Sequence, residues 1–343
     1  MADIINTDNG SVAAGKVNDK LATAITESDS GSEVAAKVNA KTSAGYITSA
    51  DSGSAFAAKI NNAGGGGTGT TIRVMSYNVG HYSMGQSANS SLQSEAAYER
   101  YLADFKALLG TADILGIQEY NPTVYASHGA PSTIFGDYPF YNTGTAVALV
   151  YQAMFAKMQY NYIRETEFAR WQGVQRFYQL AEFSIGGKTV GFVNAHCDTT
   201  NSGNNYRFEQ MGEIVAALKD YTHAIIVGDF NIARVRDDGL GGAQWNLINY
   251  WVNGGEHYLG DVYGTKDFGA GYGGGEYTLA SPGANPIGTW PATAAQRFTP
   301  SYAAMSCACD NVICKGFTLS NITRIDSDLS DHCALYADLT LID

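Results

Sequence analysis

Polar side chains that can bind a hard cation or move a proton recur at the ends of apolar runs in this 343-residue chain. Asn78 follows residues 74–77, Glu119 follows residues 114–118, His196 follows residues 193–195 and Asp229 follows residues 225–228. Strand ends on one rim converge, so four such residues in succession point to one site, although a single one is more often a cap or a surface group. Glu119 offers the hard oxygen that suits Mg²⁺ or Mn²⁺, and Asp331 and Asn78 are the further metal-site candidates. Asp229 and Asn231 stand two apart, so on an extended segment they point the same way, and Asp229 is the better group for activating a water.

Six short motifs run in order: Ser76-Tyr77-Asn78-Val79, Gln118-Glu119, Asn194-Ala195-His196, Gly228-Asp229-Phe230-Asn231, Cys309-Asp310-Asn311-Val312-Ile313 and Ser330-Asp331-His332. Over residues 72–343 they resemble the ordered motifs of the endonuclease/exonuclease/phosphatase superfamily, which includes deoxyribonuclease I and neutral sphingomyelinases. That resemblance implies a four-layered α/β sandwich and a divalent-metal-dependent phosphoric ester hydrolase. It further implies that Asp229 and Asn231 orient water and phosphate, and that Asp310 pairs with His332, fixing its tautomer and raising its pKa. A charged His332 would then stabilise the developing negative charge, with His196 as donor to the leaving oxygen. Whether Asp229 or a histidine activates the water stays open. Histidine at 196, where the abasic-site endonuclease branch has Asn, weighs against DNA repair. The family's phosphate-contacting Arg has no firm match between Glu119 and His196. Arg176 is the chosen phosphate contact among Arg164, Glu165, Glu167, Arg170 and Tyr178. His81 and His128 have no motif around them and are read as surface residues.

Alternating strands and helices must position these groups. β-rich or apolar runs predict strands at 72–77, 113–118, 146–151, 175–185, 189–195, 223–227, 307–314 and 333–341. Helical spacing predicts helices at 94–109, 206–219 and 243–251. Short turns such as Gly186-Gly187 require antiparallel pairing, so two mostly antiparallel sheets packed face to face, with helices outside, satisfy the order. A Gly-, Tyr- and Pro-rich stretch at 253–300 reads as a long loop at the rim. Its Tyr263, Tyr272, Tyr277 and Trp290 are either substrate contacts or packing residues.

The start of the chain differs in texture. Gly10-Ser11, Gly31-Ser32 and Gly53-Ser54 are followed at one fixed distance by Lys16-Val17-Asn18, Lys37-Val38-Asn39 and Lys59-Ile60-Asn61, a repeat of 21 to 22 residues. Each unit predicts a short Ala-rich helix with too little apolar surface to fold alone, so residues 1–63 are either a low-complexity leader or an attachment segment. The units resemble segments at the N-termini of bacteriophage tail and appendage proteins, which implies attachment to copies of itself or to phage structural proteins. Residues 64–71 read as a Gly-rich linker, and residues 72–343 as the catalytic domain.

The net charge is −12, of which residues 72–343, with 16 basic and 26 acidic side chains, hold −10. That sign opposes a grip on nucleic acid by phosphate neutralisation, but suits a site that gathers carboxylates around a cation. The five cysteines are expected as free thiols. Cys307, Cys309 and Cys314 read as small buried hydrophobes. No run is long and apolar enough to span a bilayer and no secretory signal is legible, so the expectation is synthesis as a soluble cytoplasmic product, with association to a virion through residues 1–63. The leading functional expectation is a Mg²⁺- or Mn²⁺-dependent phosphodiesterase, a nuclease on DNA or RNA. A phosphatase or phosphodiesterase on phospholipid, inositol phosphate or phosphate-linked glycan is the alternative, and a catalytically silent structural module is the third.

Overall fold

The computed structural model describes residues 70–80, 107, 109–120, 138–145, 151–171, 175–198, 206–231, 247–258, 265–267, 269–281, 287–291, 305–326 and 330–342. The repeats at 1–63, the linker at 64–69, most of the helix expected at 94–109, and His81, His128 and Tyr263 lie outside them. Residues 71–184 and 189–340 form one compact unit, which holds every site candidate.

The strands are β1 (Thr71–Asn78), β2 (Ile114–Tyr120), β3 (Phe140–Thr143), β4 (Tyr151–Ala156), β5 (Tyr160–Glu167), β6 (Phe177–Ile185), β7 (Lys188–His196) and β8 (His223–Asp229). They continue as β9 (Glu256–Tyr258), β10 (Thr265–Asp267), β11 (Thr278–Leu279), β12 (Trp290–Pro291), β13 (Met305–Cys307), β14 (Asp310–Lys315), β15 (Phe317–Ile325) and β16 (Ala334–Leu341). Helices α1 (Tyr206–Ala217) and α2 (Leu247–Asn253) complete the described elements. The first sheet runs β15-β16-β1-β2-β4-β3 and the second β11-β14-β8-β7-β6-β5. Pairing is mostly antiparallel, with β1–β2 and β7–β8 parallel, so the sheets are mixed.

Alternation along each strand divides the core into layers. Met75 and Tyr77 of β1, with Val79 just past its end, join Leu115, Ile117, Ala153 and Phe155 in an outer cluster on the first sheet. On the second sheet, Val193, Ala195, Ala224, Ile226 and Ile313 face outward and pack with Met211, Ile214 and Leu218 next to or within α1, and with Ile248, Trp251 and Val252 of α2. The opposite faces meet between the sheets: a Cβ on Gly116 would stand 2.2 Å from Val227 Cγ2 and 2.8 Å from Asn194 Oδ1.

Several expected elements shift. The strand expected at 146–151 is found at Tyr151–Ala156, and the run expected at 307–314 breaks into β13 and β14. The stretch at 253–300 is not one loop: it carries the β9–β10 hairpin, β11 on the edge of the second sheet, and β12 paired with β13. Strands β3, β5 and β15 are not among the expected ones, because β5 and β15 are largely exposed and read as polar. The turn at Gly186-Gly187 has φ of 56° and 77°, the conformation that joins β6 to its neighbour β7 in a two-residue hairpin. Cys197, Cys309, Cys314 and Cys333 are buried free thiols.

Candidate active site

Sheet register sets three of the functional side chains in a row. His196 pairs with Asp229 across the parallel β7–β8 ladder, and Asp310 pairs with Asp229 across the antiparallel β8–β14 ladder. His196 shares the inward parity of Asn194, and Asp229 that of Val227, so these are the last inward-facing groups on their strands. Gly228, between them in chain order, lets β8 approach β7 closely, because a Cβ there would stand 2.2 Å from the Ala195 carbonyl oxygen.

The first sheet supplies Asn78 and Glu119. Asn78 ends β1 with its side chain buried; its Nδ2 donates to Asp229 Oδ2 at 2.9 Å and to Glu119 Oε1 at 3.3 Å, so one amide ties the sheets together at the site. Strict alternation would point Glu119 away from Gln118 and out of the site. Instead Glu119 adopts φ 55°, at the irregularity between Ile117 and Tyr120 in the β2–β4 ladder, and its carboxylate turns toward Asn78. A non-glycine residue in this left-handed region is held against its own preference by the surrounding structure, a pattern that concentrates at functional sites. Asn231 is a second case, at φ 52°; its backbone N–H donates to Asp229 Oδ1 at 3.0 Å and its Nδ2 to the Cys197 carbonyl at 3.2 Å.

The segment before β16 brings in His332. Ser330 Oγ donates to the Asn78 carbonyl at 2.7 Å and accepts from the His332 N–H at 3.2 Å, pinning this segment to the end of β1. His332 Nδ1 lies 2.8 Å from Asp310 Oδ2, and its Nε2 lies 3.8 Å from Asp229 Oδ2. Asp331, half-buried beside it, adds negative charge near the ring. Arg176, just before β6, donates from its guanidinium to His196 Nδ1 at 3.1 Å. Among the residues expected from the sequence, Asn78, Glu119, His196, Asp229, Asn231, Asp310, His332 and Arg176 are thus linked in one cluster of contacts, while Asp331 is its neighbour.

The two imidazoles are electrically different. Burial, reinforced by the Arg176 guanidinium, holds the His196 pKa well below the usual imidazole range, so this ring is neutral. Because Arg176 can only donate, Nδ1 accepts and the ring proton sits on Nε2, 3.6 Å from Asp229 Oδ2 and 4.0 Å from Glu119 Oε1. For His332, burial also disfavours the charge, but the Asp310 carboxylate, with Asp229 and Asp331 farther off, outweighs it and raises the pKa to about 10. Asp229 is raised to about 6 by burial and by the nearby Asp310 charge.

Sequence reading missed the groups that hold this cluster in place. Arg207 of α1 donates to the Asn231 carbonyl, and Gln210 accepts from the Asp198 N–H at 2.9 Å while its Nε2 donates to the Arg170 carbonyl at 2.8 Å. The spacing of Arg207 and Gln210, one helical turn apart, was the available signal. Thr289 accepts from the Asp310 N–H at 3.2 Å through Oγ1 and from the Cys333 N–H at 2.8 Å through its carbonyl, so the rim expected of the 253–300 stretch reaches the site by backbone and hydroxyl. Of its aromatics, Tyr277 is buried in the outer core of the second sheet, and the Tyr272 ring lies against Gly212 of α1.

No family model matches the sequence, and no curated protein matches it. Solved structures do. Danio rerio TDP2 complexed with a single-strand DNA product is 15% identical with a TM-score of 0.55, the match covering 79% of this chain and 99% of that one. An endonuclease/exonuclease/phosphatase from Bacteroides vulgatus is 16% identical with a TM-score of 0.54, over 79% and 99%. ANGEL2, described as a 2′,3′-cyclic phosphatase, is 13% identical with a TM-score of 0.54, over 79% and 95%. The likeness establishes the architecture: the chain is similar in structure to the endonuclease/exonuclease/phosphatase proteins and has their α/β sandwich fold.

Proposed function

We propose that the protein is a divalent-metal-dependent phosphoric ester hydrolase, and within that class a phosphodiesterase acting as a nuclease. The observation that carries this reading is the row His196–Asp229–Asp310 on adjacent strands, closed by His332 from one side and by Asn78 and Glu119 from the facing sheet. The single-strand DNA product in the Danio rerio TDP2 structure supports a nucleic-acid substrate.

The donor set fits a hard cation. Three carboxylates gather in a space where Asp229 resists ionisation and buried Asp310 Oδ1 has no hydrogen-bond partner among the described residues. Mg²⁺ or Mn²⁺ held by Glu119, with Asp331 and Asn78, would offset phosphate charge and that of the carboxylates. Asp229, Asp310 and His332 also offer ligand atoms within 4.8 Å of one another, but a histidine that keeps both protons has no lone pair to give, so Glu119 is preferred as the anchor.

Asp229, ionised above about pH 6 and oriented by Asn78 and the Asn231 N–H, takes the proton of the attacking water. His332, cationic and held by Asp310, stabilises charge on the phosphoryl oxygens and is the stronger proton donor to the leaving oxygen. Neutral His196 contributes a hydrogen bond from Nε2, oriented by Arg176, whose remaining charge faces the phosphate.

The test is turnover of single-stranded and plasmid DNA, RNA, bis-p-nitrophenyl phosphate and p-nitrophenyl phosphate, each with Mg²⁺, Mn²⁺ or EDTA. Metal-dependent cleavage of diesters is expected. Monoester-only turnover would move the protein to the phosphatase reading, which the described 2′,3′-cyclic phosphatase ANGEL2 supports. No turnover at all would leave the silent-module reading. For residues 1–63 the proposal is attachment to a phage-like particle or to copies of the chain. Deleting residues 1–69 should abolish self-association in light scattering while leaving turnover unchanged; a full-length protein that is monomeric and binds no particle would overturn it.

A further inference from the structure

The connection between β5 and β6 is rooted in the site at two separate points. At its base Phe168 N–H donates to the Arg176 carbonyl at 3.0 Å, and Arg176 donates to His196 Nδ1 at 3.1 Å. Farther along, the Arg170 carbonyl is bound by Gln210, whose other end accepts from Asp198 N–H, two residues beyond His196. The next residue on this connection, one past Arg170 and five before Arg176, is Trp171, a large aromatic that remains 40% exposed. Its indole is not loose: Nε1 donates to Glu167 Oε1 at 3.0 Å, which fixes the ring at the end of β5.

The charges around it decide what such a ring can recognise. Arg170, the basic group next to Trp171, is committed to Glu209 at 3.0 Å and lies over the Tyr206 ring, while Glu213 accepts from the Ala169 N–H. Glu167, Glu209 and Glu213 therefore make this side of the site a poor place for phosphates. An exposed, oriented aromatic face in acidic surroundings suits the uncharged planar part of a substrate.

We propose that Trp171 forms a base-stacking subsite: it receives the nucleobase next to the scissile phosphate, and favours unpaired strands whose bases can turn out of a stack. This rests on the phosphodiesterase reading above. Phosphate is handled inside the cluster by Arg176 and the cation, and the base is handled outside it by the indole, so binding requires no basic groove on this acidic protein.

The experiment compares kcat/KM on a short single-stranded oligodeoxynucleotide with that on the same oligonucleotide carrying abasic tetrahydrofuran residues on both sides of one cleavable phosphate, with Mg²⁺ or Mn²⁺. The wild-type protein should prefer the base-bearing strand by roughly ten-fold, the lower part of what one stacked base contributes. Trp171→Ala should bring that ratio close to one through KM, and Trp171→Phe should restore most of it. Circular dichroism of each variant checks the fold. Wild-type cleavage of both strands at the same rate, or an unchanged ratio in Trp171→Ala, would overturn the stacking subsite and leave the phosphodiesterase reading intact. Cleavage of neither strand with either metal would overturn both.

Discussion

Two buried polar clusters stand one or two residues apart on the same strands, and they are paired in opposite ways. Inside the sandwich, Asn194 uses its whole amide: Nδ2 donates to the Ile117 and Ala153 carbonyls at 3.1 and 3.0 Å and to Gln179 Oε1 at 3.2 Å, while Oδ1 accepts from Gln118 Nε2 at 2.7 Å. These groups are neutral, and they bridge β7 to β2 and β4 in the facing sheet. One step outward, Glu119, His196, Asp229 and Asp310 are charged or charge-poised, and His196 Nε2 and Asp310 Oδ1 are buried with no hydrogen-bond partner among the described residues. Among the described residues the neutral network leaves Gln118 Oε1 without a partner as well, but an amide engaged at both ends, as that of Asn194 is, fixes how two layers sit, whereas an under-paired charged group keeps capacity for a ligand. Each strand delivers both, because its period of two brings Asn194 and His196 to the same side.

That comparison breaks most sharply at Glu119. Glu119→Ala should lower metal-dependent turnover by a factor on the order of 10²–10³ while leaving the denaturation midpoint close to wild type, since the Glu119 side chain is 26% exposed and contributes little packing. Full activity at saturating Mg²⁺ would remove Glu119 from the metal role. The inner cluster should respond the other way. Asn194→Leu strands Gln179 Oε1, takes a donor from two carbonyls and leaves Gln118 Nε2 with the Gly116 carbonyl at 3.2 Å, at a cost of about 3 kcal/mol, each buried unpaired group weighing about 1–3 kcal/mol before the added apolar burial offsets part of it. Urea denaturation reads this directly, and a loss below about 0.5 kcal/mol would mean that water or relaxation replaces the bridge.

Part of this was legible in the residues and part was not. The six motifs marked the strand ends, and apolar runs located β1, β2, β6, β7, β8 and β16 to within a few residues. Period-two reasoning could not foresee that Gln118 and Glu119 would both serve the interior, because that needs the left-handed backbone at Glu119, a property of the β2–β4 irregularity and not of the local residue types. Nor could it foresee β15, an exposed strand whose formation depends on the neighbouring β16 ladder rather than on its own apolar pattern. For Tyr277 composition left substrate contact and packing equally open, and the pairing of β11 with β14 decides for the core.

The charged cluster should also reveal itself through pH. His332 has its folded pKa raised to about 10, above its unfolded value of about 6.5, so its pairing stabilises the fold fully below pH 6.5 and this contribution is lost as pH rises toward 10. Asp229, raised to about 6, also makes the folded state bind protons more tightly than the unfolded chain, so stability falls further between about pH 4 and 6. The proposed roles need Asp229 ionised and His332 charged, so activity should show an acid limb near pH 6 and an alkaline limb near pH 10, both belonging to the coupled group. Asp310→Asn should cost about 1–3 kcal/mol at neutral pH, remove most of the stability change between pH 7 and 10, and move the alkaline limb downward. An unshifted alkaline limb in that variant would detach His332 from it.

The smallest effect is expected where a charged pair has neither cluster's burial. Arg73 and Asp338 are direct cross-strand partners of β1 and β16, joined by two hydrogen bonds of 2.7 and 3.0 Å. Asn321 adds a third to the same carboxylate at 2.8 Å, and the guanidinium lies 4.4 Å from the centre of the Tyr336 ring. The geometry is as good as that of Asp310 with His332, but the Arg73 side chain is 30% exposed, so solvent screens the pair. The hydrogen bond from Arg73 lowers the Asp338 pKa, so its contribution is present above the unfolded value of about 3.9 and is lost as pH falls through the lowered folded value. Asp338→Asn should therefore cost only about 1 kcal/mol, diminish as salt is raised, and leave turnover and its pH limbs unchanged. If this variant instead cost as much as Asp310→Asn and ignored salt, pairing geometry rather than burial would set the strength of these charges, and the contrast drawn between the clusters would fail.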